Sequence, residues 1–163
     1  MQLSETFIAT INTPLGFLLI ETSASHIYRI SFSHSVLETK VPPLALLEET
    51  KAQLQAYFQG SLRQFDLPLS LQGTAFQKQV WNELQSIPYG STSTYLQLAK
   101  RLGNTKSIRA AAAANGKNPI VILIPCHRVI GANGALTGYA GGLHRKRWLL
   151  DLEAKTAGIP SLL

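Results

Sequence analysis

A chain of 163 residues with 45% hydrophobic content can bury a core, either as one compact domain or as two small ones. It has no run of 18 apolar residues and no unbroken apolar stretch near its start, so we expect no membrane contact, no signal peptide and a cytoplasmic location. The net charge of +6 is uneven. Residues 1–72 carry four Lys and Arg against six acids, whereas residues 73–163 carry eleven against three, a net of +8 that predicts a polyanionic partner or a solvated basic face.

Residues 1–72 are predicted to form a small strand-rich domain. Between residues 6 and 33, β-branched and aromatic residues alternate with polar ones around two turn signals, which is typical of an antiparallel sheet. Apolar residues at helical spacing follow, with Pro42 and Pro43 at the start and Gly60 in the position of a C-terminal cap. Residues 67–71 could add a strand, and the Gln72-Gly73 pair marks the boundary with a second domain, 73–163.

The second domain begins with a helix that Thr74 caps and that ends before Pro88. Ser93 is the predicted cap of a second helix, and Ser107 caps a third over about 108–114. Two short helices joined by a glycine-containing turn in a basic region predict a helix-turn-helix, although an ordinary helical hairpin has the same pattern. The predicted fold class is therefore α+β, with a strand-rich N-terminal domain and a mainly helical, winged-helix-like C-terminal domain.

The third helix contains five consecutive alanines, residues 110–114, which combine high helix propensity with little side-chain bulk. Such a helix can approach another surface closely, either inside the protein or on a nucleic acid. Arg109 precedes the alanines and places a long cationic side chain where it could reach into a nucleic acid.

Cys126 is the only cysteine, which excludes an internal disulfide and a multi-cysteine metal site. The apolar run 120–124 is short, β-branched and bounded by prolines, and it predicts a buried strand or extended segment leading to Cys126. His127 is adjacent, but neighbouring side chains of an extended segment point to opposite faces, so a bend or a bridging water would have to link it to the sulfur. Glu153 is the candidate that orients His127, because this domain has only three acids.

Residues beyond Cys126 predict a turn, a loop and a final helix. The turn lies at Asn133-Gly134, and residues 138–142 form a glycine-rich loop. The helix spans His144 to Leu152, with three residues predicted to face inward and two outward. These are Trp148, Leu149 and Leu152 on the inner face, and Arg145 and Lys146 on the outer face.

Five motifs of the second domain closely resemble the O6-alkylguanine-DNA alkyltransferases, over residues 73–153. The motifs are Gly73-Thr74-x-Phe76-Gln77-x-x-Val80-Trp81, Ile87-Pro88-Tyr89-Gly90-x-Thr92-x-x-Tyr95, Asn115-Gly116-Lys117-Asn118-Pro119-Ile120, Ile124-Pro125-Cys126-His127-Arg128-Val129 and Thr137-Gly138-Tyr139-Ala140-Gly141-Gly142. Residues 1–72 are similar to that family's N-terminal domain only in length and strand content.

The resemblance implies direct-reversal DNA repair by a methylated-DNA–protein-cysteine methyltransferase. The Cys126 thiolate would take the alkyl group of O6-alkylguanine in double-stranded DNA, irreversibly and once per molecule, after the nucleotide flips out; activity on O4-alkylthymine is left open. His127 would act through water, Glu153 would orient it, and Asn118 would brace the active-site loop. No cofactor is implied, and the zinc-binding cysteines of some relatives are absent, so we expect no metal. We expect a monomer and leave open whether several copies assemble cooperatively on DNA.

The resemblance also assigns binding roles. Tyr95 would donate a hydrogen bond to the flipped base, the carbonyls of Cys126 and Val129 would face its amino group, Tyr139 would wall the pocket, and the Ala140 N–H would meet the guanine oxygen. Arg109 would fill the vacated stack. Further expected DNA contacts are Ala110, Ala114, Arg128, Ser107 and Thr92. Relatives often have Ser in place of Ala140 and Gly within residues 111–112, and these departures bear on lesion preference and groove fit.

Three other classes of protein share part of the pattern. An alkyltransferase-like lesion sensor would bind the same DNA, but such proteins lack the acceptor cysteine. A Cys-His hydrolase would turn over many substrates, and its base is usually remote in sequence. A winged-helix transcription factor accounts for the charge but leaves the residues from Pro125 to Arg128 without a role.

Overall fold

The computed structural model describes residues 5–37 and 44–163, and the chain divides into two compact units, residues 1–72 and 73–163. The predicted α+β class is confirmed, because the first unit is built on an antiparallel sheet and the second is mainly helical. Within the described ranges, no helix has both the length and the apolar character needed to cross a membrane.

The described residues of the first unit form a three-stranded antiparallel sheet and one helix. Strands β1 (Phe7–Thr13), β2 (Gly16–Thr22) and β3 (Ile27–Ser33) pair in the order β1-β2-β3. Helix α1 (Ala45–Phe58) follows, and Gly60 lies just beyond it at a φ of 77°, as expected for a C-terminal cap. The predicted opening of this helix at Pro42-Pro43 lies outside the described residues.

Residues 67–71 do not form a full strand. Leu69 makes a single parallel bridge to Ile27, supported by the Ile27 N–H donating to the Pro68 carbonyl at 2.9 Å and the Ser70 N–H donating to the Ile27 carbonyl at 2.9 Å. Pro68 has no N–H with which to continue a ladder, so the pairing stays short.

The second unit begins with α2 (Ala75–Leu84), which Thr74 caps as predicted. The Thr74 hydroxyl accepts the Gln77 N–H, and the Gln77 side chain accepts the Thr74 N–H. The next helix is α3 (Tyr95–Arg101), and its cap is Thr94 rather than the predicted Ser93. Ser93 belongs to the short strand β4 (Ser93–Thr94), which pairs in parallel with β5 (Val129–Ile130).

Helix α4 (Ile108–Gly116) completes the helix-turn-helix and packs on α2 and α3. A 3-10 turn at 105–107 precedes it, and Ser107 occupies the N-cap position without a side-chain capping bond, since its hydroxyl donates to the Asn104 carbonyl at 2.6 Å. The Trp81 indole N–H donates to the Ala114 carbonyl at 2.8 Å, which fixes α4 against α2.

The apolar run 120–124 is buried as predicted, but it is a turn and not an extended segment. The Ile124 N–H donates to the Ile120 carbonyl at 3.0 Å, and Ile122 has a φ of 74°. Asn118 supplies the hydrogen bonds that a neighbouring strand would give, because its carboxamide accepts the Ile120 N–H at 2.9 Å and donates to the Ile124 carbonyl at 2.7 Å. Cys126 then follows at the start of a second 3-10 turn, Cys126–Arg128.

The last helix, α5 (Leu143–Ala157), is longer than predicted and buries a different set of residues. Leu149 is buried as predicted, whereas Trp148 and Leu152 are only partly buried. Lys146, predicted to face outward, is completely buried together with Glu153. Arg145 is also partly buried and donates to the Gly141 carbonyl at 2.9 Å.

Candidate active site

Cys126 is a buried thiol held by the side chain of Asn118. The Asn118 amide donates to the Cys126 sulfur at 3.1 Å while its other bonds fix the preceding turn. Burial raises the pKa of the Cys126 thiol to about 11, although the Asn118 hydrogen bond and the charge of Lys146 act in the opposite direction. The sulfur therefore carries a proton at neutral pH, and a base has to remove it before the sulfur can act as a thiolate nucleophile.

His127 is the nearest base in the sequence, and Glu153 fixes its tautomer. The distance from His127 Nε2 to Glu153 Oε1 is 2.8 Å, and both side chains are fully buried. Burial lowers the pKa of His127, so the imidazole is neutral at pH 7 and gives its Nε2–H to the carboxylate. Nδ1 then carries the lone pair, and it is buried without a hydrogen-bond partner among the described residues. The arrangement leaves one basic nitrogen free to accept a proton.

Glu153 stays ionised because several donors converge on it. Burial alone would raise the pKa of Glu153, but the charges and hydrogen bonds of His127 and Arg128 hold it well below its usual range. The backbone N–H of Gly90 also donates to Oε2 at 3.2 Å, which ties the loop before β4 to α5. A side chain at Gly90 would be strained, because its φ is 73° and an added Cβ would lie 3.1 Å from Ala157.

Arg128 is an anchor for Glu153, and its prediction as a DNA contact is wrong. Its Nε lies 2.9 Å from Glu153 Oε2 and its Nη2 lies 2.9 Å from Oε1. Nη1 donates to the Ile87 carbonyl at 2.7 Å, and the guanidinium lies 5.6 Å from the centre of the Tyr89 ring. Only 7% of Arg128 is exposed, and its guanidinium is held by these buried partners, so it cannot reach a phosphate of DNA.

Lys146 is a site residue that the sequence pattern missed. Its ammonium donates to the carbonyls of Thr137 at 3.0 Å and Gly138 at 3.4 Å, where the glycine-rich loop begins. The Tyr95 hydroxyl donates to the same Thr137 carbonyl at 3.0 Å, so side chains from α3 and α5 both hold this loop. Burial lowers the pKa of Lys146 to about 8, while Cys126 acts in the opposite direction.

Two cavities meet beside this loop. A cavity of about 10 Å³ is lined by Cys126, and an open groove of about 560 Å³ lies beside α4. The small cavity is also lined by Asn118 and Val121, and the groove also by Tyr95, Ile108, Arg109, Ala112 and Thr137. Five residues line both spaces: Asn115, Gly116, Gly138, Tyr139 and Ala140. The structure thus brings the predicted residues Tyr95, Arg109, Tyr139 and Ala140 to the groove, and Cys126 and Asn118 to the cavity.

The exposed face of α4 includes Arg109 and Ala110 but excludes Ala114. The prediction that Ala114 contacts DNA is wrong, because the helical period turns this residue inward onto α2. Ser107 and Thr92 are half-buried and have some surface available. Val129 lies buried in β5, beside the turn that holds Cys126.

The second unit combines a helix-turn-helix with a buried cysteine whose neighbour His127 is paired with Glu153. This combination indicates the class of DNA-modifying proteins that act through a protein thiol. Two family models match the chain: the ribonuclease-like domain of 6-O-methylguanine DNA methyltransferase over residues 6–71, and its DNA-binding domain over residues 75–155. The chain belongs to the 6-O-methylguanine DNA methyltransferase family.

Individual relatives agree along nearly the whole chain. The methylated-DNA–protein-cysteine methyltransferase of Methanosarcina acetivorans is 45% identical, over 90% of this chain and 97% of its own. The constitutive enzyme of that name from Bacillus subtilis is 42% identical, over 90% and 94%. The crystal structure of Mycobacterium tuberculosis O6-methylguanine methyltransferase matches with a TM-score of 0.84 at 42% identity, covering 93% of this chain and 94% of that chain. The structure of M. tuberculosis OGT in complex with DNA matches with a TM-score of 0.83 at 42% identity, covering 91% and 93%.

Proposed function

We propose that this protein repairs DNA by transferring the alkyl group of O6-alkylguanine to the sulfur of Cys126, once per molecule. The observation that carries this proposal is the position of Cys126, which lines a cavity that shares five residues with the groove beside the helix-turn-helix. The names of the relatives support methylated DNA as the substrate and a protein cysteine as the acceptor.

The proposed chemistry begins with proton transfer. The Cys126 thiol gives its proton, through a water molecule, to the lone pair of His127 Nδ1, and Glu153 stabilises the imidazolium through Nε2. The sulfur then attacks the alkyl carbon, a C–S bond forms, and the bond from that carbon to the guanine oxygen breaks. The guanine takes up the proton that the thiol lost, so the products are unmodified guanine and a neutral thioether. No group at the site can cleave this thioether readily, so the protein reacts once.

DNA binding is proposed to use the exposed face of α4. The small side chain of Ala110 lets α4 approach the minor groove of the DNA. Arg109 lines the protein groove beside α4, where its side chain can fill the space that a flipped nucleotide leaves in the base stack. Ser107 and Thr92, in neighbouring turns of the protein, would contact the phosphate backbone of the DNA. We propose that the protein meets double-stranded DNA carrying alkylated guanine as a monomer in the cytoplasm.

The base is proposed to bind between α4 and the glycine-rich loop. Tyr139 and Ala140 form one wall. The Tyr95 hydroxyl now donates to the Thr137 carbonyl and would turn to donate to the base. The backbone carbonyls of Cys126 and Val129 would face the guanine amino group, and the Ala140 N–H would meet the guanine oxygen. The cavity of about 10 Å³ at Cys126 is far smaller than a purine, so the loop residues must move outward when the base enters.

The test is incubation with a duplex containing labelled O6-methylguanine, followed by mass spectrometry of the peptide that contains Cys126. We expect one methyl group on Cys126 and a burst of repair equal to the amount of active protein, without further turnover. Cys126→Ser is the matched control, and it should keep DNA affinity while losing transfer. Continued release of product would support a Cys-His hydrolase, and an unmodified Cys126 would remove the proposed function.

A further inference from the structure

Ile108 is an exposed apolar side chain at one end of the groove beside α4. It is the first residue of α4, 36% of it is exposed, and it lines the groove together with Tyr95 and Arg109. The other apolar side chains of α4 are alanines, so Ile108 is the one bulky apolar group on an otherwise smooth helix. Apolar surface gains free energy when a partner removes it from water, so a molecule that covers Ile108 gains affinity from it.

The position of Ile108 along α4 separates it from the reacting atoms. Asn115 and Gly116, in the last turn of α4, line both the groove and the cavity at Cys126, whereas Ile108 lines the groove alone. Ile108 precedes Asn115 by about two helical turns, which is roughly 10 Å along the helix axis. The alkyl group has to reach Cys126, so the end of the groove at Ile108 faces the duplex that the nucleotide has left.

The charges around Ile108 match the minor groove of DNA. Lys106 and Arg109 flank it in the sequence and are both exposed, within a unit that carries a net charge of +8. Phosphates line the two rims of the minor groove, and the less polar sugars and base edges lie between them. Proteins that bind this groove often insert an aliphatic side chain at a base step while cations bind the phosphates. Ile108 has the chemistry and the neighbours for such a contact.

We propose that Ile108 is an apolar wedge that packs in the minor groove against the base pair next to the flipped nucleotide. The inference rests on the proposed function and adds a positioning residue to it. A base pair beside the vacated position loses a stacking partner, and Ile108 would cover part of the apolar face that this exposes while Arg109 fills the gap. The contact carries no charge, so it stabilises the flipped state without adding to the attraction between the protein and the phosphates.

The experiment compares methyl transfer from one oligonucleotide containing O6-methylguanine, used as a single strand and as a duplex with the lesion paired to cytosine. The readout is the ratio of the two second-order rate constants, duplex over single strand, which cancels any difference in the active fraction of a preparation. Ile108→Ala removes the wedge, and Ile108→Val keeps a branched apolar side chain. Leu96→Ala is the matched control, because Leu96 is 39% exposed on α3 of the same helix-turn-helix but is not among the described residues that line the groove.

We expect Ile108→Ala to lower the ratio by about fivefold or more, while Ile108→Val and Leu96→Ala stay within about twofold of wild type. The salt dependence of duplex binding should be the same in wild type and Ile108→Ala, because no phosphate contact is lost.

Three results would overturn the role of Ile108 while leaving methylation of Cys126 intact. The first is an unchanged ratio in Ile108→Ala, which includes an equal loss of rate on both substrates. The second is a fall of the same size in Leu96→Ala, because any exposed apolar side chain would then have the same effect. The third is a smaller salt slope in Ile108→Ala, which would place a phosphate contact at this position. Failure of wild type to methylate Cys126 on either substrate removes the proposed function itself.

Discussion

Replacing Glu153 with Gln should strongly destabilise the protein, because the carboxylate satisfies four buried donors. These donors are His127 Nε2, Arg128 Nε and Nη2, and the Gly90 N–H. Gln offers one acceptor oxygen and adds an NH₂ group of its own, so the buried guanidinium loses its counter-charge. Removing one partner of a buried ion pair costs about 3–5 kcal/mol, out of a total stability of roughly 5–15 kcal/mol. For a chain of this size, the Tm should fall by roughly 6–20 °C.

The assay is urea and thermal unfolding of wild type, Glu153→Gln, Arg128→Met and the Arg128→Met, Glu153→Leu double variant at pH 7. The double variant should recover part of the loss, since an apolar pair leaves no buried charge without a partner. The pH dependence has a definite sign. The pKa of Glu153 is lowered in the folded state, so its stabilisation is present above its unfolded pKa of about 4.3 and is lost as the pH falls. The difference between wild type and Glu153→Gln should therefore shrink in acid.

Two results would refute this reasoning. A loss of less than about 1 kcal/mol in Glu153→Gln would mean that the carboxylate does not hold the buried guanidinium. Additive losses in the double variant would mean that the two side chains are not coupled.

Arg128→Met should also leave the salt dependence of DNA binding unchanged, whereas loss of a phosphate contact would reduce the slope of log affinity against log salt concentration by about one.

Three further predictions concern DNA, the loop and the product. Arg109→Ala should slow repair of a paired lesion far more than reaction with free O6-benzylguanine, and equal losses on both substrates would exclude a role in holding the flipped state. Lys146→Met should cost about 1–3 kcal/mol and slow transfer, because two loop carbonyls lose their donor. Because the folded pKa of Lys146 is lowered to about 8, wild-type stability should gain a contribution from Lys146 as the pH rises from about 8 to 10.4, and Lys146→Met should lack it. The raised pKa of the Cys126 thiol makes stability fall with pH over a similar range, so the comparison is made between Cys126→Ser and the Cys126→Ser, Lys146→Met double variant. Equal pH dependence of stability in these two proteins would contradict the lowered pKa of Lys146. The protein methylated at Cys126 should have a Tm several degrees below that of the free protein, and a benzyl adduct should lower the Tm further, because the cavity at Cys126 is only about 10 Å³. An unchanged Tm for both adducts would show that the site accommodates the product.

Features that depend on neighbours in the chain could be predicted from the sequence. Thr74 and Gln77 form a capping box because both partners lie within one helical turn, and Gly60 ends its helix because glycine adopts positive φ without strain. The motif around Cys126 and His127 indicated the chemistry for a similar reason, since the residues that define it are contiguous. Even there, the family resemblance carried the assignment of roles, and local physics alone left a hydrolase and a transcription factor open.

Features that depend on distant partners were decided by the tertiary structure. Arg128 and Lys146 resemble surface cations in the sequence, yet both are buried, because Glu153 and the Thr137 carbonyl supply partners that only folding brings near. Nothing in the sequence marks the position of Asn115, but the fold places it where it lines both the groove beside α4 and the cavity at Cys126. Burying a charged or polar group is tolerated only where partners meet it, and periodicity along the chain does not reveal where those partners will be.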